Sequence, residues 1–369
     1  HRELRRVHFL ISKVEVLPKA LEVLLGQTGV PGLCPNVQTN IFTTRVEQYQ
    51  DAWQRGMLSN GDYLLFLNFV AHRSFNDVTQ YPIFPWIVQD YKFEYLDLSK
   101  TMTFRDLSKP IGAHSTEKLE TFKSKYFEIV NSIDQLSGLG TEAGSSTGSG
   151  EKPYMYLSHY STPGIVLYYL IRQVPSYILK IQNESVGGPP DKIFHDVNIS
   201  WQNVLNILSD NKELIPEFYF GDGSFMKNKT KLELGLIIFS KKLASQLASM
   251  GLKPPRLRHE ESNALESNHV SANLHKWIDL VFGYLQRGDR AQFSNNLFQP
   301  HTLEEHVDFT QLTNPLQIDA LTTQIKNFGQ CPKQLFQNAP HPQRLIRTIS
   351  IEPKSASAAE SASTPKLEL

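Results

Sequence analysis

Apolar residues recur at helical spacing in five stretches of the chain, each bounded by a residue suited to start or stop a helix. Tyr63, Leu64, Leu67 and Val70 fall on one face of a segment from Asp62 to His72, with Ser59 or Asn60 as its cap and Asp62 as the capping-box acid. Thr162 followed by Pro163 opens a second through Val166, Leu167, Leu170 and Ile171, which must end before Pro175. Asn198 to Leu208, Ala272 to Tyr284 and Pro315 to Phe328 complete the set, and the last is capped by Asn314 and stopped by Gly329. The pattern predicts a mainly α fold.

One segment fits no helix. Gln80 to Trp86 sets Pro82 and Pro85 among Tyr81, Ile83, Phe84 and Trp86. Proline at both positions forbids a helix interior or a central strand, and the flanking side chains are too apolar to lie in water. The expectation is an extended, irregular ribbon buried between helices. Its main-chain polar groups then need partners, and the nearby candidates are Arg73, Asn76, Asp77 and Gln80.

Two stretches have little to bury. Ser137 to Gly150 is rich in Gly, Ser and Thr and predicts a flexible loop, and Lys354 to Thr364 alternates Ser and Ala and predicts a disordered tail. No tandem period of solenoid length occurs.

Composition narrows the function classes. The chain has 369 residues, 40% hydrophobic and 20% charged, which is enough apolar surface for a sizeable core. Lys plus Arg and Asp plus Glu are both 37, so no overall field draws it to nucleic acid or an anionic bilayer. Cys34 and Cys331 are too few for a disulfide framework and form no zinc-type pair, which implies a reducing cytosol. The longest apolar run, Gly164 to Ile171, falls far short of the ~20 residues that span a bilayer. His1 and the charged residues after it, without an apolar signal core, look like the start of an excised piece. The sequons at Asn183, Asn198 and Asn228 read as accidental without a secretory signal.

From Trp53 onward the chain resembles the BEACH family almost continuously. The matching stretches include Trp53 to Asn60, Arg73 to Asp77, Gln80 to Trp86, Phe104 to Pro110, Ser158 to Ser161, Lys212 to Phe218, Leu274 to Tyr284 and Phe328 to Phe336, with Pro340-His341-Pro342 after them. They stand in family order. The resemblance implies helices around a core of extended, non-regular segments, with a PH-like domain before and WD repeats after. On that basis residues 1–40 are the end of a PH-like domain and a linker, 41–348 the BEACH domain with a flexible loop at 135–152, and 349–369 a disordered tail. A finer likeness, to members acting in receptor-to-sphingolipid signalling, rests on Phe104 to Gly112, Tyr156 to Gln182 and Ser224 to Gly235. Leu236 to Asn263 departs from the family pattern with a run rich in Lys, Ala and Ser.

The resemblance implies a cytoplasmic scaffold that joins its neighbouring domains and other signalling or trafficking proteins, peripheral on intracellular membranes, without catalysis, cofactor, metal or nucleic acid. The residues singled out for partner binding or the structural core are Trp53, Asn60, Arg73, Asn76, Asp77, Tyr81, Pro82, Phe84, Pro85, Trp86, Arg105, His159 and Trp277. Arg73 with Asp77, and Arg105 with Asp106, are expected to neutralise each other, because an unpaired buried charge is very costly. The Trp277 to Tyr284 aromatics are assigned to the core, while those between Trp53 and Asp90 either join it or line a groove for a peptide or the PH-like neighbour. The competing class is a hydrolase using His159 with a serine, supported by Asp191 or Asp196. Gly144 to Gly148 matches a nucleophile-elbow pattern only by letter, and neither His301, Glu304 and His306 nor Glu266 with His269 has zinc-ligand spacing.

Overall fold

A computed structural model of the protein describes residues 38–91, 96–138, 152–173, 175, 194, 196–227, 254–303 and 313–345. Most of the expected linker, loop and tail, together with Asp191, Gly144 to Gly148, Glu304 and His306, lies outside these residues. Among the described residues the helices are α1 (Gln38–Gln54), α2 (Asn60–Val70), α3 (Thr116–Gly138), α4 (Pro163–Leu170), α5 (Val197–Asn206), α6 (Pro254–Leu265), α7 (Asn268–Val281), α8 (Gly288–Phe293) and α9 (Pro315–Phe328). Strand-like pairing among them is confined to single bridges: Phe84 with Leu214, Val88 with Phe104, and Tyr156 with Phe298. The architecture is mainly α.

The helices start where hydroxyl and carboxylate side chains can hold free amides. Ser59 Oγ accepts the Asp62 amide at 3.0 Å and donates to the Asp62 carboxylate at 2.8 Å, fixing the start of α2. Thr162 caps α4 with Pro163 in its first turn, Asp196 caps α5, and Asn314 caps α9, which ends at Gly329. Ser267 takes the Val270 amide, so α7 begins one turn earlier than the apolar pattern indicates. Val270, Leu274, Trp277, Ile278 and Val281 of α7 are all buried, so this helix belongs to the core.

Around α7 the core is largely irregular backbone. From Tyr81 to Val88 every residue is buried although none belongs to a helix or a multi-residue strand. Such a segment is tolerable only if its amides and carbonyls are answered, and partners for many of them come from several elements. Asn68 of α2 accepts the Ile83 amide at 2.8 Å and donates to the Ile83 carbonyl at 2.9 Å. Phe84 exchanges both main-chain bonds with Leu214 at 2.9 Å. Tyr219 donates its hydroxyl to the Pro85 carbonyl at 2.5 Å, Glu213 accepts the Trp86 amide at 2.9 Å, and the Arg105 amide donates to the Ile87 carbonyl at 2.8 Å.

Candidate functional site

Glu213 lies one residue before Leu214, so the pairing that anchors Phe84 carries its carboxylate to the middle of the core. There Arg105 Nη1 donates to both carboxylate oxygens at 2.8 Å, Trp86 donates its amide at 2.9 Å, and Trp277 Nε1 donates at 3.1 Å. Arg105 and Glu213 are each 1% exposed, so removing either one strands a charge away from water. Arg105 also donates to the Lys109 carbonyl at 3.1 Å and to His114 Nε2 at 2.9 Å. This hub ties the ribbon, the Arg105 turn, the Glu213 segment and α7 to one point.

A second cluster sits where α1 meets α2. Trp53 stacks on Tyr63 at 5.0 Å between ring centroids and donates its indole N–H to Asn60 Oδ1 at 2.8 Å. Asn60 donates in turn to the Leu265 carbonyl and to Ser271. Glu266 accepts the amides of Asn60 and Gly61 at 2.9 and 2.8 Å, placing a carboxylate on the N-terminus of α2. His269, its partner in the short sequence pattern, stacks instead on Phe104 at 4.4 Å.

Arg73 donates to the carbonyls of Tyr81 and Gln330 at 2.6 and 2.9 Å, and burial lowers its pKa to about 9. His159 beside it is 2% exposed and is pushed well below the usual imidazole range, first by burial and then by that guanidinium. Its Nδ1 accepts the Ser161 amide at 3.3 Å, which leaves the ring proton on Nε2. A serine hydrolase needs the opposite arrangement, with Nδ1–H given to an acid and Nε2 free to accept from serine. Ser161 Oγ is buried without a partner, and Asp196 is committed to capping α5. The nucleophile–base pair considered around His159 is therefore not assembled.

Two expected pairings are corrected. Asp77 is exposed and holds the Thr79 amide and hydroxyl at 2.8 and 2.6 Å, rather than neutralising Arg73. Asp106 accepts from Ser108, while Arg105 pairs with Glu213 far along the chain. Asn76 is exposed too, and the ribbon bonds expected of it are made by Asn68. Tyr81, Pro82, Phe84, Pro85, Trp86 and Trp277 are buried, as are Trp53 and Asn60. The Trp53 to Asp90 aromatics thus face inward in large part: Tyr81 donates its hydroxyl to Glu217, and Phe84 packs at 5.6 Å against Phe220.

Sequence inspection assigned no role to Glu213, to Asn68 or to another buried acid, Glu261 of α6. Tyr91 donates to Glu261 Oε1 at 2.8 Å, Oε2 has no partner, and burial raises its pKa to about 7. Among the described residues no group of three His, Cys, Asp or Glu could hold a metal, and no helix is long and apolar enough to cross a membrane.

The Beige/BEACH domain model matches residues 51–344, a span that contains both the ribbon and the Arg–Glu hub. The chain belongs to the BEACH family. It is 39% identical over 313 residues to BEACH domain-containing protein B of Arabidopsis thaliana, covering 84% of this chain and 11% of that protein. It is 37% identical over 328 residues to Protein SPIRRIG of Arabidopsis thaliana, covering 85% and 8%, and 38% identical over 301 residues to BEACH domain-containing protein lvsD of Dictyostelium discoideum, covering 79% and 9%. The chain thus spans about a tenth of the length of these curated relatives, and the BEACH module is the part they share with it.

Proposed function

We propose that this BEACH module is a non-enzymatic scaffold, a rigid body that docks an adjoining PH-like domain and other proteins within a larger chain acting in membrane traffic or signalling. The observation that carries this reading is the internal work done by four buried polar side chains. Arg105, Glu213, Arg73 and His159, the groups most suited to chemistry, hold backbone or one another. The lengths of the relatives leave room for flanking domains on which such a body would act. Because the candidate aromatics are turned inward, the contact surface belongs to outward side chains such as Tyr49 of α1 and Phe69 of α2, the latter 69% exposed.

A finer assignment rests on likeness alone. Phe104 to Gly112, Tyr156 to Gln182 and Ser224 to Gly235 resemble the factor associated with neutral sphingomyelinase activation, which makes the module an adaptor between a receptor and sphingolipid hydrolysis by a separate enzyme, peripheral on intracellular membranes and followed by WD repeats. Titration of the folded chain with the separately expressed PH-like domain of the same protein tests the scaffold reading. Saturable binding that weakens when Phe69 is replaced by Asp is expected, and no binding between two folded pieces would remove its support.

A further inference from the structure

Residues 330–345 run from Gly329 without a regular element and lie between α7 and the α1–α2 pair. On the α7 side, the amides of Leu335 and Phe336 donate to the Phe282 carbonyl at 2.8 and 3.1 Å, and the His341 amide donates to Asp279 at 2.8 Å. On the other side, the His341 ring meets the Tyr63 hydroxyl at 2.7 Å, Arg344 donates to the Leu58 carbonyl at 2.8 Å and to Asn60 Oδ1, and the Leu345 amide donates to the Gln54 carbonyl at 2.8 Å. His341 Nδ1 faces the Pro342 carbonyl, so it carries the proton and Nε2 accepts from Tyr63.

α1 rests on α2 through two ring pairs, Tyr49 on Phe66 at 3.8 Å and Trp53 on Tyr63 at 5.0 Å. Yet Trp53 is wholly buried, because the His341 ring at 5.2 Å and the Arg344 guanidinium at 5.9 Å cover it. Asn60 Oδ1 serves both parties at once, accepting from the Trp53 indole and from Arg344. Lifting this strap uncovers Trp53 and frees the Leu58 and Gln54 carbonyls; lifting α1 takes the Trp53 ring from beneath Arg344 and the Gln54 carbonyl from the Leu345 amide. α2 stays behind in either event, since Tyr63, Leu64, Leu67 and Asn68 bind it to the core.

We infer that the strap and α1 form one latch, so that release of either frees the other while the hub around Glu213 stays closed. The segment entering at Gln38 and the segment leaving at Leu345 are thereby coupled, and displacement of one reaches the other. This inference is independent of which partner the module binds.

Native-state hydrogen exchange on the full 369-residue chain tests it. The amides of Arg55, Met57 and Leu345 should share one opening free energy, smaller than that of Phe282. Arg344→Ala should speed exchange at all three by about ten-fold, leaving Phe282 unchanged. Arg290→Ala, which removes a strap contact at Gln337 away from α1, should leave Arg55 and Met57 as they were. Separate opening energies for the strap and α1 in the unaltered protein would overturn the latch. So would an Arg344→Ala effect confined to Leu345, or one that tracks global unfolding at Phe282.

Discussion

The ribbon from Tyr81 to Val88 and the strap from Gln330 to Leu345 are both irregular and proline-bearing, yet they are held in different ways. The ribbon is buried throughout, and its polar groups are met by side chains from several elements, among them Asn68, Glu213 and Tyr219. The strap is exposed from Gln337 to Pro340, and most of its bonds fall on either side of that open stretch, at Cys331 to Phe336 and at His341 to Leu345. Irregular backbone becomes part of a core where side chains seal it on all sides, and it becomes a movable edge where part of it stays open to water.

The largest effect separating these two regions should come from Arg105→Ala. It strands Glu213 without a counter-charge, and a loss of about 3–5 kcal/mol in denaturant stability, shared by all probes, is expected. Asn68→Ala should follow with about 2–3 kcal/mol, because the Ile83 amide and carbonyl both lose their buried partner. A normal denaturant midpoint for that variant would mean that the ribbon tolerates unanswered groups, and the contrast would fail.

Glu261 sharpens the comparison through pH. Its carboxyl is raised from the ordinary value to about 7 by burial, so the folded state holds the proton more tightly than the unfolded one. The associated stability is full below the unfolded value and is lost as pH rises toward about 7. Glu261→Gln should therefore flatten the fall in melting temperature between about pH 5 and pH 7, with a gain on the order of 1–2 kcal/mol at pH 8. Smaller again, Arg344→Ala in the strap should cost about 1 kcal/mol, visible chiefly as local opening. Asn76→Ala, on an exposed turn, should stay within about 0.5 kcal/mol by thermal melt.

What the sequence made legible divides along the same line. α2, α4, α5, α7 and α9 announce themselves by local spacing and caps, and the ribbon announces itself by pairing proline with large apolar side chains. α1 shows no apolar stripe in its sequence, which is mostly polar, and Trp53 is its only wholly buried described side chain. α3 buries Phe122 and Tyr126 but also Lys118, whose ammonium donates to the Val204 carbonyl at 2.7 Å, and a buried lysine blurs an amphipathic pattern. α6 starts in a stretch that departs from the family pattern. The hub was harder still, since Arg105 and Glu213 lie 108 residues apart and nothing local joins them. Pairing each charge with its nearest neighbour in sequence led to Asp77 and Asp106, which instead cap their own turns.

The carboxylate of Glu266 on the first amides of α2 bears on membrane attachment. A helix start of this kind often receives phosphate, but here the protein supplies its own anion. A phosphorylated lipid headgroup seeking that end of α2 would meet an occupied seat and negative charge, so this helix start is closed to such a group.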